Sequence, residues 1–141
     1  MTLVSLPMAT AIDCIPQAAA LPFRAGRICL VTSRNRNRWV IPKGRMEPDK
    51  TAGEVALQEA WEEAGLAGVL SGEPVGSYFY EKWGNTYYVT VFLLHVTEVA
   101  ADWPESSERQ RRWLRPGQAV LRLEEEGLRE IVRAACEQAV A

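Results

Sequence analysis

The residues from Thr51 to Gly65 constrain the fold most, because they mark both ends of one helix. Thr51 and Glu54 match the S/T-x-x-E capping box, in which each side chain can bond to the other residue's backbone amide. Gly65 is suited to end the helix, since glycine readily adopts the left-handed conformation found at that point. We therefore predict a helix over residues 51–65.

Three glutamates are gathered on one face of this predicted helix. Glu59, Glu62 and Glu63 stand at i, i+3 and i+4, a spacing at which like charges repel. No lysine or arginine occupies positions 55, 56, 58, 66 or 67 to offset them. A solvated acidic surface is one interpretation; the other is a divalent cation, because Mg²⁺ prefers oxygen ligands between carboxylates and substrate phosphates. The other side of the helix is predicted to pack on a sheet through Leu57, Ala60, Trp61 and Ala64.

Short apolar runs bounded by glycine, proline and polar residues predict strands on both sides of this helix. The predicted strands cover residues 17–23, 27–33, 39–41, 66–70, 75–80, 86–97 and 113–114. Residues 121–140 are predicted to be mostly helical, with a break near Gly127. Strands, a helix, more strands and a closing helix predict an α+β fold, in which helices pack on a mixed sheet.

Length and composition limit which class of protein this chain can belong to. The 141 residues suit one domain, residues 1–141, in which we expect residues 1–14 to form a loose N-terminal arm. Apolar residues make up 48% of the chain and charged residues 24%, values that exclude a disordered or fibrous class. The three isolated cysteines favour neither a disulfide framework nor a zinc site. With no secretion signal or bilayer-spanning run, we expect a cytoplasmic protein without membrane contact.

Charge is distributed unevenly along the chain. Residues 1–46 hold seven basic residues against one acidic residue, a net charge of +6, and the remainder has a net charge of −8. A basic segment beside an acidic one favours an anionic substrate that meets a metal ion. Nucleic-acid binding by the basic third is a further interpretation, which we rank last because the acidic remainder would repel a long polyanion.

The segment around the helix resembles a known motif. Residues 42–66 are similar to the box of Nudix hydrolases, G-x5-E-x7-R-E-U-x-E-E-x-G-U, where U is aliphatic. The matching positions are Gly44, Glu59, Ala60, Glu62, Glu63, Gly65 and Leu66. The resemblance implies the Nudix fold, a mixed sheet sandwiched between α-helices. It also implies hydrolysis of a phosphoanhydride bond in a polyphosphorylated small molecule, with Mg²⁺ as cofactor and Mn²⁺ as a possible substitute.

Two positions of the box depart from the family pattern. Lys50 stands where the family has its first glutamate, and Gln58 where it has the arginine that orients a catalytic carboxylate. Glu47 lies three residues before Lys50 and could partly compensate. The departures leave an alternative function open: a catalytically attenuated Nudix-like domain that binds or senses a phosphorylated ligand.

The resemblance extends over most of residues 17–135. Several segments look similar to one branch of the family, the diphosphoinositol polyphosphate phosphohydrolases and diadenosine polyphosphate hydrolases. They are residues 18–24, 28–34, 38–44, 81–82, 87–96, 102–105 and 109–113. The inositol enzymes carry basic residues before the first strand, where this chain has Ile15, Pro16 and Gln17. This difference favours a smaller or linear polyphosphate.

The resemblance also implies roles for particular residues. Glu59 and Glu63 are the expected metal ligands, and Glu62 is a further ligand or the general base, so that Glu59 and Glu62 are the catalytic candidates. Arginine binds phosphate bidentately and lysine acts as a point charge. The candidate substrate-binding residues are Arg34, Arg38, Lys43, Gly44, Arg45, Arg24 and Arg109.

A few further residues complete the predicted site. Glu105 and Glu108 are possible extra carboxylates from a loop, and Trp83 or Tyr87 could stack on a nucleobase. The one histidine, His95, is expected to be packed within its apolar strand. A monomer and a homodimer are both compatible with these predictions.

Overall fold

The computed structural model describes residues 14–140, with side chains up to residue 137. Its strands are β1 (Cys14–Arg24), β2 (Arg27–Thr32), β3 (Trp39–Val40), β4 (Lys43–Arg45), β5 (Leu66–Leu70), β6 (Gly76–Lys82), β7 (Asn85–Val99) and β8 (Arg111–Leu114). Its helices are α1 (Ala52–Ala64), α2 (Pro116–Arg122) and α3 (Glu126–Val140). No helix of this described part is long and apolar enough to cross a membrane.

The strands of the described residues form one mixed sheet. Strands β3, β2, β1, β7 and β5 are neighbours in that order, with β4 paired to β1, β6 to β7 and β8 to β2. Strands β1 and β7 run parallel, with Ala18 opposite Thr90, whereas the other pairs are antiparallel. The parallel pair joins segments about 70 residues apart in the sequence. In the strand order, β1 and β7 both have neighbours on each side and so lie in the middle of the sheet.

Each face of the sheet has its own apolar core. On one face, Val55, Ala56 and Ala60 of α1 pack against alternate residues of β1, β2 and β7. On the other face, the intervening residues of those strands pack against α2 and α3, including Leu128 and Val132. Alternation of side chains along a strand supplies both faces at once. The prediction of a mixed sheet sandwiched between helices is confirmed.

Helix α1 begins and ends as predicted, but its buried side is different. Thr51 and Glu54 form both bonds of the capping box, and Gly65 takes the left-handed conformation at the end. The prediction that Leu57 and Trp61 pack on the sheet was wrong, since they are 37% and 42% exposed. The buried stripe follows positions 55, 56, 60, 63 and 64, a helical period that turns Glu63 inwards and leaves Glu59 half-buried beside it.

The other differences follow from tertiary pairing. Strand β4 was not predicted, because its three residues pair with β1 over a long sequence separation. The predicted helix 121–140 is two helices, separated at residues 123–125 rather than near Gly127. Cys14, assigned to the loose arm, is the first residue of β1, and the rest of that arm lies outside the described residues. His95 is exposed rather than packed, because it alternates with the buried Leu94 and Val96.

Replacing Gly65 with alanine should destabilise the protein more than the same change at Gly26. Both glycines have positive φ, +67° and +77°, which an L-residue adopts at a cost of about 1–2 kcal/mol. A Cβ at position 65 would also lie 2.9 Å from Trp103 Cβ and Arg111 Nη1, whereas nothing lies within 4 Å of one at position 26. In urea unfolding, the free energy of unfolding should therefore fall by about 1 kcal/mol or more further for Gly65→Ala than for Gly26→Ala. Equal losses would show that Trp103 moves aside freely.

Candidate functional site

Strand β4 and helix α1 come into close contact at Gly44. Strand β4 is held on β1, with Gly44 opposite Ala18, and α1 packs on the same face of the sheet. A Cβ built on Gly44 would lie 2.5 Å from both Cδ and Oε2 of Glu59. A predicted substrate-binding residue, Gly44 is therefore placed directly against a predicted metal ligand. Its lack of a side chain gives the Glu59 carboxylate its position.

Glu59 and Glu63 stand one helical turn apart on α1, close enough for the carboxyl group of each to affect the pKa of the other. Glu63 is buried, and burial raises its pKa to about 8, against the opposing effect of the Arg109 guanidinium. Burial also raises the pKa of Glu59. The backbone N–H of Lys43 donates to Glu63 Oε1 at 3.2 Å, and Arg109 Nη2 lies 3.6 Å from Glu63 Oε2. These contacts hold the Glu63 carboxyl group between Lys43 of β4 and the guanidinium of Arg109.

The donor set of this pair suits a hard divalent cation. Within residues 14–140, no three Asp, Glu, His or Cys side chains already form a coordination cluster. Glu63 Oε1 nevertheless lies beside Lys43 and Glu59 Oε2 beside Gly44, so both carboxylates face the same strand, and hard cations prefer such oxygen ligands. The charged side chains that raise the pKa of Glu59 are all carboxylates, those of Glu62, Glu105 and Glu47. A bound cation would relieve this accumulation of negative charge.

Arg109 supports the carboxylates from a neighbouring loop. Its buried guanidinium donates from Nε to Glu105 Oε1 at 2.7 Å and from Nη1 to the carbonyl oxygen of Thr32 at 2.9 Å. The interpretation of Glu63 as a carboxylate without a basic partner was wrong, because Arg109 pairs with it from outside the helix. Helical spacing could not reveal a partner 46 residues away.

The loop of residues 101–108 is anchored on the end of α1. The Glu105 backbone N–H donates to the Glu62 carbonyl oxygen at 3.0 Å, and Trp103 Nε1 donates to the Glu63 carbonyl oxygen at 2.9 Å. The Glu105 carboxylate is itself bonded to Arg109, and its charge raises the pKa of Glu59. The prediction of Glu105 as an additional acid of the site stays a prediction. Glu108 instead pairs with Arg34 at 2.9 Å.

A pocket of about 670 Å³ opens beside Glu63. Its cationic wall residues are Arg34, Arg38, Lys43, Lys82 and Arg109, and the wall also includes Gln17, Tyr80 and Trp83. The structure therefore brings four of the seven predicted substrate-binding residues into one wall. Arg45 is exposed on β4 and does not line this pocket. Arg24 lies at the far end of β1, seven residues beyond Gln17, and is not brought to it.

Three pocket residues escaped prediction because the sheet brings them together. Tyr80 donates a hydrogen bond of 2.8 Å to Gln17 Oε1, across strands that sequence alone does not place side by side. Lys82 lies where β6 turns into β7, and its ammonium is 4.6 Å from the ring centre of Trp83. Trp83 is 87% exposed at this turn, whereas Tyr87 is buried and stacked on Tyr80 at 4.8 Å. Of the two stacking candidates, only Trp83 is therefore open to a ligand.

The family model of the NUDIX domain matches residues 15–135. This chain belongs to the Nudix family. Two relatives are Nudix hydrolase 12, mitochondrial, of Arabidopsis thaliana, 40% identical over 95 residues, and diphosphoinositol polyphosphate phosphohydrolase 3-beta of Bos taurus, 36% identical over 110 residues. The alignments cover 62% and 74% of this chain, and 47% and 66% of the relatives. The chain thus spans about half the length of the Arabidopsis protein.

Solved structures agree with this Nudix fold. The Ap4A hydrolase of C. elegans superposes with a TM-score of 0.72 at 20% identity, covering 90% of this chain and 98% of that one. The MutT protein of Methanosarcina mazei Go1 superposes with a TM-score of 0.68 at 24% identity, covering 90% and 95% of the two chains. At such identities the superpositions support the fold alone.

The two residues that depart from the Nudix box contact each other. The Lys50 ammonium donates a hydrogen bond to Gln58 Oε1 and lies 3.8 Å from Glu47 Oε1. The loop before α1 and the helix are thus joined by Lys50 and Gln58, at the two positions where the box has glutamate and arginine. The sequence showed two separate departures, whereas the structure shows one interacting pair.

Proposed function

We propose that this protein is a Nudix pyrophosphohydrolase, which cleaves a phosphoanhydride bond in a polyphosphorylated small molecule with Mg²⁺ as cofactor and Mn²⁺ as a possible substitute. One observation carries the proposal: Glu63 lines a pocket together with five cationic side chains, and Glu59 stands one helical turn before it on α1. The carboxylates can bind a divalent metal ion, and the arginine and lysine side chains beside them can bind phosphate groups. Together they match the two parts of a metal–polyphosphate complex.

Each group of side chains has a distinct task in this proposal. Glu59 and Glu63 would hold the divalent ion, which neutralises charge on the phosphates and favours a nucleophilic water when bound. Arg38 and Lys43 orient the phosphate chain in the pocket, with Arg34 at its outer edge. Glu62 is the candidate general base or a further metal ligand.

The pocket favours a linear polyphosphate over an inositol pyrophosphate. Gln17, in the segment that lacks basic residues, lies in the pocket wall and contributes no charge. Arg34 is already paired with Glu105 and Glu108, and Arg38 with Glu124 and Glu125. An exposed indole at Trp83 could instead stack on a nucleobase. We therefore place a dinucleoside polyphosphate ahead of an inositol pyrophosphate.

Phosphorus NMR of the reaction products tests this proposal. The protein would be incubated with Mg²⁺ and, in turn, a diadenosine polyphosphate, an inositol pyrophosphate, a nucleoside triphosphate and ADP-ribose. We expect cleavage of the diadenosine polyphosphate, and the products identify the bond that breaks. If no compound is cleaved while ligand binding is still detected, the attenuated binding domain becomes the better description.

The contact between Lys50 and Gln58 leads us to expect a compensated site rather than an attenuated one. Restoring the family residues with the double substitution Lys50→Glu and Gln58→Arg should change kcat/KM by less than about tenfold, because one interacting pair replaces another. Each single substitution breaks the pair and should lower kcat/KM more than the double one. A gain above about 100-fold in the double variant would favour the attenuated domain.

A further inference from the structure

One carboxylate outside the predicted site lies behind the cationic wall of the pocket. Glu125 belongs to the short connection between α2 and α3, and its Oε2 accepts a hydrogen bond of 2.8 Å from Arg38 Nη2. The side chain is only 14% exposed. Its neighbour Glu124 lies 3.7 Å from Arg38 Nη1, but with a side chain that is 62% exposed. The same guanidinium therefore has one acidic partner that is largely shielded from solvent and one that is solvated.

The charge of Glu125 is also felt at a second pocket cation. Burial lowers the pKa of the Lys43 ammonium, and the carboxylates of Glu63 and Glu125 act against that effect. A buried charge acts through a lower effective dielectric constant than a solvated one and is screened less by salt. Glu125 therefore reduces the positive potential that Arg38 and Lys43 present to the pocket, much more than Glu124 does.

A carboxylate beside phosphate-binding cations has an effect that depends on the ligand. It holds Arg38 in place when the pocket is empty, which favours any ligand that this arginine contacts. It also repels each phosphate group in proportion to the charge that the ligand brings close. The repulsion grows along a series of increasingly charged ligands, whereas the benefit of a fixed arginine does not.

We infer that Glu125 is a specificity-determining residue, which limits the phosphate charge that the pocket accepts and selects against the most densely phosphorylated ligands. The inference rests on the proposed function in taking this pocket as the polyphosphate site. It assigns Glu125 a positioning role, because the carboxylate acts through Arg38 and Lys43 rather than on the reacting phosphate.

Substitution by glutamine separates the charge of Glu125 from its hydrogen bond. In Glu125→Gln, the amide oxygen can still accept from Arg38, but the negative charge is absent. Glu124→Gln is the matched control, since it removes the same charge next to the same arginine at a solvated position. Thermal unfolding would establish that both variants are folded.

Calorimetric titration in a chelator-containing buffer measures the effect without turnover. The probes are inorganic pyrophosphate, inorganic tripolyphosphate and inositol hexakisphosphate, in order of increasing negative charge. Glu125→Gln should bind pyrophosphate about threefold more tightly and inositol hexakisphosphate about tenfold or more, while Glu124→Gln changes each by less than about twofold. The selectivity between the first and last probes should therefore change only in Glu125→Gln.

Several results would overturn the inference. They are unchanged affinities in Glu125→Gln, an equal gain for all three probes, an equal gain in Glu124→Gln, or a general loss of binding, which would indicate a purely structural role. If Glu125→Gln does not fold, Glu125→Asp should give unchanged selectivity, and increased affinity for the most charged probe would contradict us.

The same variants distinguish this inference from the proposed function. If the protein cleaves nothing but the selectivity of Glu125→Gln changes as stated, the hydrolase proposal fails and the charge limit stands. If turnover is normal and the selectivity is unchanged, the opposite holds. In an active protein, Glu125→Gln should lower KM for the more charged substrates while kcat changes little.

Discussion

Replacing Glu63 with glutamine should lower kcat/KM by at least about 100-fold, because a bound metal ion supplies several kcal/mol of transition-state stabilisation and Glu63 is one of its two expected ligands. The amide keeps the shape of the carboxylate but is a much weaker ligand for a hard cation. Its oxygen can still accept the hydrogen bond that the Lys43 backbone donates to Glu63. The loss should therefore be chemical rather than structural.

The folded state should tolerate this substitution. Arg109, the cationic neighbour of Glu63, keeps its bonds to Glu105 and to the Thr32 carbonyl oxygen. Replacing a buried acid by its amide also removes a group whose ionisation burial disfavours. Urea unfolding should change little, and calorimetry should show weakened binding of Mg²⁺.

A matched neutralisation elsewhere serves as the control. Glu130 is exposed on α3, outside the pocket lining, so Glu130→Gln changes the net charge by the same amount without touching the site. We expect wild-type kcat/KM from this variant. Full activity in Glu63→Gln would show that Glu63 is not a ligand in the active complex and would remove the central assumption of the proposed function.

The sequence was sufficient for α1 because the signals there are local. The capping box and the final glycine lie within 15 residues and act through backbone hydrogen bonds of the helix itself. It was harder to predict which face of the helix is buried, because Leu57 and Trp61 are its larger apolar side chains and are nevertheless exposed. Small residues allow α1 to lie close to the sheet, and the resulting stripe carries Glu63 into the pocket wall.

The contents of the pocket depended on contacts that have no local signature. Gln17 of β1 and Tyr80 of β6 meet across β7, which pairs with both strands, and no spacing in the sequence predicts this arrangement. Arg109 was predicted to bind phosphate, yet its guanidinium is bonded to Glu105 and to the Thr32 carbonyl oxygen. Glu125 gave no signal, since it is the middle one of three consecutive glutamates, residues 124–126, and such a run of charges usually lies in solvent.

Alanine at Gly44 should impair catalysis as strongly as the loss of a metal ligand. The new Cβ would lie 2.5 Å from the Glu59 carboxyl group, a distance that real contacts do not allow, so the carboxylate must move. Misplacing a catalytic group by about 1 Å can lower the rate by about 100-fold, and we expect kcat/KM to fall by that factor or more. Binding of Mg²⁺ should weaken in parallel.

The fold should survive at Gly44 because the atoms that must shift belong to the flexible end of one side chain. The backbone there lies outside the left-handed region, so alanine adds no strain of its own. Gly117→Ala is the matched control, since nothing lies within 4 Å of its Cβ and alanine favours the helix that contains it. Both variants should unfold at similar urea concentrations, while only Gly44→Ala loses activity. Normal kcat/KM in folded Gly44→Ala would mean that Glu59 works from a different position than the one described, and would move the metal site away from this loop.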